Sequence, residues 1–359
     1  MKKTTTRILV TLAATALLSG VAAFSLAGCG GAGDGAQKPI RLTYSIFFPP
    51  THLQTQTAVR WCEEIERRSG GRVKITTYPG GSLTKPEQCW QGVLSGISDL
   101  GMSCFSYTPG RFRLLEALDL PLGWPDGLAA TRIATALARK YDPEETRVAK
   151  LLLVHAHGPG ILATREPVRT LDDLRNRRIR GTGLSAQIIA KLGATPVGMP
   201  QSDTYDALQK GVAEGTFCPV ETLKGWRQAE TIRFVTDSSE PIGYTTAMFV
   251  AMNLNTWNKL PPDIQQIFLD VTDEFIDEHG RAWNQADQDG WELVRSLGRE
   301  VIPLSDAEKT RWKQAAAPIL EDYVRAAEAE GLPGRAFLED AQRMIAEARS
   351  DADPAPDAD

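Results

Sequence analysis

Between residues 40 and 105, short β-forming runs alternate with helical ones, and this alternation restricts the fold more than any other feature of the chain. Residues 40–48 (IRLTYSIFF) alternate and are rich in β-formers. Residues 53–69 place Val59, Cys62, Ile65 and Glu66 at helical spacings of three and four, and Gly70-Gly71 stops the run. Residues 72–78 (RVKITTY) read as a second strand, 85–95 as a second helix with Pro86 in its first turn, and 100–105 as a third strand. Strands separated by helices must cross over rather than turn back, so the order βαβαβ predicts an α/β lobe around a largely parallel sheet.

The pattern then repeats. A helix at 126–141 follows Pro125, and 148–155 is a strongly apolar strand. Beyond it come strands at 161–164, 178–180, 195–199 and 215–220, with a helical turn at 171–174, a helix at 184–192 ended by Gly193, and a helix through 210 capped by Ser202 and Asp203. Another strand is expected at 246–252 (TAMFVAM). Residues 261–297 have no break apart from Gly280 and Gly290 and read as one long helix or two in sequence; further helices are expected at 306–330 and 334–348. A body near 330 residues exceeds what one core serves, so two lobes are expected. Ligands of open α/β sheets bind beyond the carboxyl ends of the strands, so two facing lobes form a cleft that closes by hinge motion.

The first residues are excluded from this reasoning. Lys2, Lys3 and Arg7 precede a mostly apolar stretch that ends Leu26-Ala27-Gly28-Cys29. This is the pattern of a secretory signal ending in a lipobox, with Cys29 as the residue that takes lipid; an uncleaved membrane anchor is the alternative. Segment 1–28 carries three cations and no acid, so its removal takes the formal net charge from -5 to -8. An acidic body argues against nucleic acid as a partner. The expected organisation is therefore a lipoprotein signal over 1–28, a Gly-rich tether over 29–39, a first lobe from 40–156 and 245–275, a second lobe over 157–244, a long helix and C-terminal helices over 276–349 packing across both lobes, and a disordered tail over 350–359.

Four cysteines remain beside Cys29. No Cys-x-x-Cys or His/Cys spacing suggests a metal site, and no cofactor is expected. If a disulfide forms, topology allows Cys89–Cys104, since the first two helices lie on opposite faces of the sheet and separate Cys62 from Cys89; free buried thiols are the alternative. His52, His155, His157 and His279 are the only histidines, and there is no nucleophile elbow, zinc motif or phosphate loop, so an enzyme is not expected.

Residues 171–262 contain LDDLRNRRIRGTGL, KLGATPVGMPQSDTYDALQKGVAEGTFCPVETL and AMFVAMNLNTWNKLPPDIQQIF, and an earlier stretch reads YPGGSLTKPEQCWQGVLSGISDLG. Together these blocks resemble the dicarboxylate-type (DctP-like) solute-binding subunits of tripartite ATP-independent periplasmic (TRAP) transporters, over roughly 40–304. The resemblance implies a two-lobed α/β binding protein of the type II-like periplasmic fold, without catalysis. It also implies a periplasmic setting and delivery of a small organic anion to the small and large membrane subunits of a permease, near which lipid on Cys29 would hold the protein. A sensor that signals occupancy to a membrane receptor would share the same cleft. The family clamps its ligand carboxylate with an arginine on the strand after the LDDL-type turn; the matching residue is Arg180. A guanidinium suits this role because it offers two parallel donors and keeps its charge when buried.

Other positions depart from the family's pattern. Cys218 stands where asparagine is common, Cys104 where some members are polar or acidic, and His155 and His157 lie where a second arginine occurs in some members. With Phe47, Phe48, Phe217 and Tyr244 nearby, the expected ligand has one anionic head and a compact or partly apolar remainder. Gln201 and Glu221 are further cleft candidates that a surface helix cap would explain equally well, and Trp226 reads equally as packing under the lobe.

Overall fold

The structure, a computed structural model, describes residues 38–352. Segment 1–28 with its signal, Cys29 and most of the tether, and the tail beyond 352, lie outside the described residues. The first lobe opens with β1 (Ile40–Ile46), α1 (Leu53–Arg68), β2 (Val73–Tyr78), α2 (Cys89–Ser95) and β3 (Leu100–Cys104), then adds α3 (Gly127–Tyr141) and β4 (Ala149–Ala156). The chain crosses to β5 (Ile161–Thr164), β6 (Arg178–Gly181), α4 (Gly183–Lys191), β7 (Thr195–Gly198), α5 (Gln201–Gln209), β8 (Gly215–Cys218), the single turn α6 (Thr222–Gly225) and β9 (Phe234–Asp237). It returns through β10 (Ala247–Asn253), α7 (Leu254–Lys259) and α8 (Pro262–Ser296), and ends with β11 (Glu300–Pro303), α9 (Asp306–Ala316), α10 (Pro318–Ala329) and α11 (Gly334–Ala352).

Two sheets result. The first has the order β2-β1-β3-β10-β4 and the second β11-β9-β5-β8-β6-β7. β1 runs parallel to β2 and β3, while β10 enters between β3 and β4 antiparallel to both. All seven residues of β10 are buried, which is why its sequence is apolar on both faces rather than alternating. β6 is parallel to β7 and β8, and β5 is antiparallel to β8 and β9.

Three expectations need correction. β9 and β11 pair in parallel at one edge of the second sheet, so the segment assigned to C-terminal helices also supplies that lobe with a strand. Residues 306–330 form two helices, broken at Ala317–Pro318 because proline cannot donate to a continuing ladder. The second helix begins as a tighter turn at Pro86–Gln88 and becomes α-helical only at Cys89. Of the two outcomes left open for the cysteines, the structure has the free one: Cys62, Cys89, Cys104 and Cys218 are all free and buried. Cys89 packs over Gly101 on one face of β3, in the core cluster of Trp90 and Val93. Cys104 shares the opposite face with Met102, in a different cluster, because side chains alternate along a strand.

α8 is one uninterrupted helix. It packs on α1, α3 and β4 of the first lobe and on α6 of the second. Its two glycines are points of close approach rather than breaks. A Cβ at Gly280 would stand 2.8 Å from the Leu128 Cα, and one at Gly290 would stand 2.6 Å from the Val220 carbonyl oxygen. α11 packs on α3 and α10 on α4, so the C-terminal helices touch both lobes.

Candidate ligand-binding site

The carboxyl ends of β1, β3, β4, β6 and β8 converge between the lobes, and the residues just past them line a small cavity. β1 delivers Phe47 and Phe48; β3 delivers Cys104 and, one turn later, Tyr107; β4 runs into His157; β6 carries Arg180 and leads to Thr182. Gln201 opens α5 after β7, and Pro219, Glu221 and Thr222 follow β8. Trp226 follows α6, Tyr244 and Thr246 precede β10, and Met248 lies on β10 itself. Trp283 comes from α8.

Arg180 is the cavity's guanidinium. It is 5% exposed, on a strand held between β7 and β8. Its Nε and Nη2 donate to the Met199 carbonyl at 3.1 and 3.0 Å, which fixes the plane of the group and leaves the Nη1 edge uncommitted. Among the described residues no carboxylate lies within 4.0 Å of it. Its neighbours differ: Arg178 reaches the Val212 and Gly211 carbonyls from an exposed position, and Arg175 pairs with Asp172 at 2.7 Å. Beside Arg180, the Gln201 side-chain Nε2 is buried without a protein partner, and the Trp226 indole nitrogen is in the same condition.

The rest of the wall is aromatic. Phe47 lies 4.0 Å from Phe48 and edge-on to Tyr107 at 5.7 Å. It also stacks across the cleft on Trp226 at 5.9 Å. Two hydrogen bonds cross the cleft as well. The Gln201 backbone N–H donates to the Tyr107 hydroxyl at 2.9 Å, and His52 Nε2 meets Glu221 Oε2 at 2.8 Å.

His157 Nδ1 donates to the Gly158 carbonyl at 2.5 Å, so Nε2 keeps its lone pair. Burial and the neighbouring Arg180 push its pKa down to about 4, leaving a neutral ring at neutral pH. Burial pushes the Cys104 thiol up, so it is not a ready nucleophile.

Seven of the nine residues singled out by sequence line this cavity: Phe47, Cys104, His157, Arg180, Gln201, Glu221 and Tyr244. Phe217 and Cys218 do not. Both faces of β8 are covered by core, so alternation sends Phe217 into one cluster, stacked 4.9 Å from Tyr244, and Cys218 into another. Tyr107, Thr182, Thr246, Met248 and Trp283 were missed. Tyr107 could have been found from its place just after a parallel strand. Trp283 could not, since only the path of α8 across both lobes brings it there.

The family model of the bacterial extracellular solute-binding proteins, family 7 (DctP), matches residues 44–326. The chain belongs to this family. Solved structures of TRAP solute-binding proteins share its fold. One from Desulfovibrio salexigens is 33% identical, covering 88% of this chain and 98% of its own, with a TM-score of 0.77. One from Rhodoferax ferrireducens, in complex with copurified benzoate, is 26% identical over 87% of this chain and 99% of its own, with a TM-score of 0.82. One from Bordetella bronchiseptica, with bound (R)- and (S)-mandelate, is 28% identical over 86% of this chain and 100% of its own, with a TM-score of 0.81. DctP-family proteins are solute-binding receptors rather than enzymes, and the two-lobed α/β architecture expected from sequence is the family's fold.

Proposed function

We propose that this DctP-family protein captures a small organic acid with one carboxylate and an aromatic or otherwise apolar remainder, and hands it to the small and large membrane subunits of a TRAP permease. The observation that carries this reading is Arg180, a buried guanidinium with no acidic partner among the described residues, aimed into a cavity walled by rings. Burying an unpaired charge is costly, and a carboxylate supplied by a ligand offsets that cost while accepting two parallel hydrogen bonds. Gln201 Nε2 stands beside it as a further donor. The faces of Phe47, Phe48, Trp226 and Tyr244 suit a flat apolar body. The benzoate and mandelate held by the two relatives above support the same ligand class. In this reading Cys29 carries lipid, and the leash over 29–39 keeps the protein close to its permease at the membrane surface of the periplasm.

A thermal-shift screen tests it. Benzoate, mandelate and 3-hydroxybenzoate should raise the melting temperature, since a ligand at 100 times its Kd adds about 2.7 kcal/mol. Succinate and sugar acids should do so weakly. A response to sugar acids alone would overturn the ligand class.

A further inference from the structure

The cavity wall holds one carboxylate as well as one guanidinium, and the two do not pair. Glu221 is 3% exposed, and its Oε2 is bound by His52 Nε2 at 2.8 Å rather than by Arg180. The charge state of this contact follows from the other ring nitrogen. His52 caps α1, and its Nδ1 accepts the Gln54 backbone N–H at 3.1 Å. A nitrogen that accepts carries no proton, so the proton sits on Nε2 and is donated to Glu221. His52 is therefore a neutral donor and leaves the negative charge of Glu221 uncancelled. Among the described residues no lysine or arginine lies within 4.0 Å of its carboxylate. Lys224, the nearest one along the chain, pairs with Asp289 at 2.7 Å, and Asp287 accepts the Glu221 backbone N–H at 3.2 Å, adding an acidic group rather than a basic one.

We infer that Glu221, fixed by His52, makes the cleft select ligands that bring a single negative charge to Arg180 and a hydrogen-bond donor to Glu221, and makes it reject a second carboxylate. This rests on reading the cleft as a carboxylate site. A second anionic group would lie beside Glu221 in a closed, water-poor space, where like charges repel strongly. A hydroxyl or amide N–H there donates to the free lone pairs of Glu221 instead.

Three aromatic probes separate charge from size: 3-hydroxybenzoate, isophthalate, and the mono-amide of isophthalate, which keeps the diacid's shape without its second charge. Each is titrated by calorimetry into the wild type, Glu221→Gln and Glu221→Ala, with benzoate as reference. The wild type should bind the mono-amide on the order of 100-fold more tightly than isophthalate. Glu221→Gln, which keeps the size of the side chain, should narrow that ratio at least about 10-fold. Because the ratio is taken within one variant, a loss of folded protein does not alter it, and Glu221→Ala should narrow it in the same direction. Equal binding of diacid and mono-amide by the wild type, or a ratio unmoved in both variants, would overturn the filter. Failure of benzoate and all three probes to bind the wild type would instead overturn the carboxylate reading itself, and the filter with it.

Discussion

A buried guanidinium is a demanding group, and Arg180 meets its demands only in part. The Met199 carbonyl takes two of its donors, and no carboxylate among the described residues lies within 4.0 Å of it. That geometry separates arginine from lysine. An ammonium at this depth is a point charge that cannot span two carboxylate oxygens. Arg180→Lys should therefore keep the fold and bind benzoate at least about 10-fold more weakly, measured by calorimetry. Arg180 was singled out by the family's blocks, since strand alternation puts Arg178 and Arg180 on one face and cannot choose between them. Phe217 and Cys218 were misplaced for a physical reason. Next to a cleft an apolar residue reads the same whether it faces ligand or core, and β8 is buried on both faces. For Glu221 the sequence left a cleft position and a surface cap equally open; it is 3% exposed in the cavity wall, bound by His52, 169 positions away.

At the scale of elements, α8 holds the two lobes in register. Gly290 lets the helix lie against the Val220 carbonyl just ahead of Glu221. Replacing glycine by alanine inside a helix gains about 1 kcal/mol in propensity. Here the new Cβ would stand 2.6 Å from backbone oxygen, a contact that must be relieved by moving the helix or the loop after β8. Gly290→Ala is expected to be net destabilising by about 1–3 kcal/mol in urea unfolding despite the better helix former. Long periodic elements such as α1, α3 and α8 were legible from sequence. β9 (FVTD) and β11 (EVIP) were not, because four-residue strands with mixed composition carry no period. Their pairing, which joins residues 234–237 to 300–303, is decided by the long helix between them.

For the whole molecule, His52, His155 and His157 gather around Trp283, and His279 stacks on His155. His155 stacks on His279 at 4.9 Å and accepts from Trp283 Nε1 at 3.1 Å. Burial pushes His155 well down, His157 to about 4 and His279 to about 3. These three are neutral in the fold and take up protons below about pH 6.5 once unfolded, so they withdraw stability as pH falls. Asp119 and Asp287 act in the other direction. Burial raises both, Asp287 to about 8, so the folded chain holds protons that the unfolded chain releases. The three histidines outnumber the two carboxyls, so stability should fall as pH drops from 7 to 5. Urea titrations at pH 7, 6 and 5 would show this slope; a flat profile would mean that the histidines are solvated.

The cleft's central claim is that one buried guanidinium holds the carboxylate of an aromatic acid, and calorimetric titration of benzoate into the wild type and Arg180→Ala tests it most directly. Saturable one-to-one binding by the wild type is expected, with affinity at least about 100-fold weaker in the variant, because truncating one partner of a buried charge pair costs about 2–5 kcal/mol. Equal affinity in the two proteins, with both folded by circular dichroism, would contradict the claim.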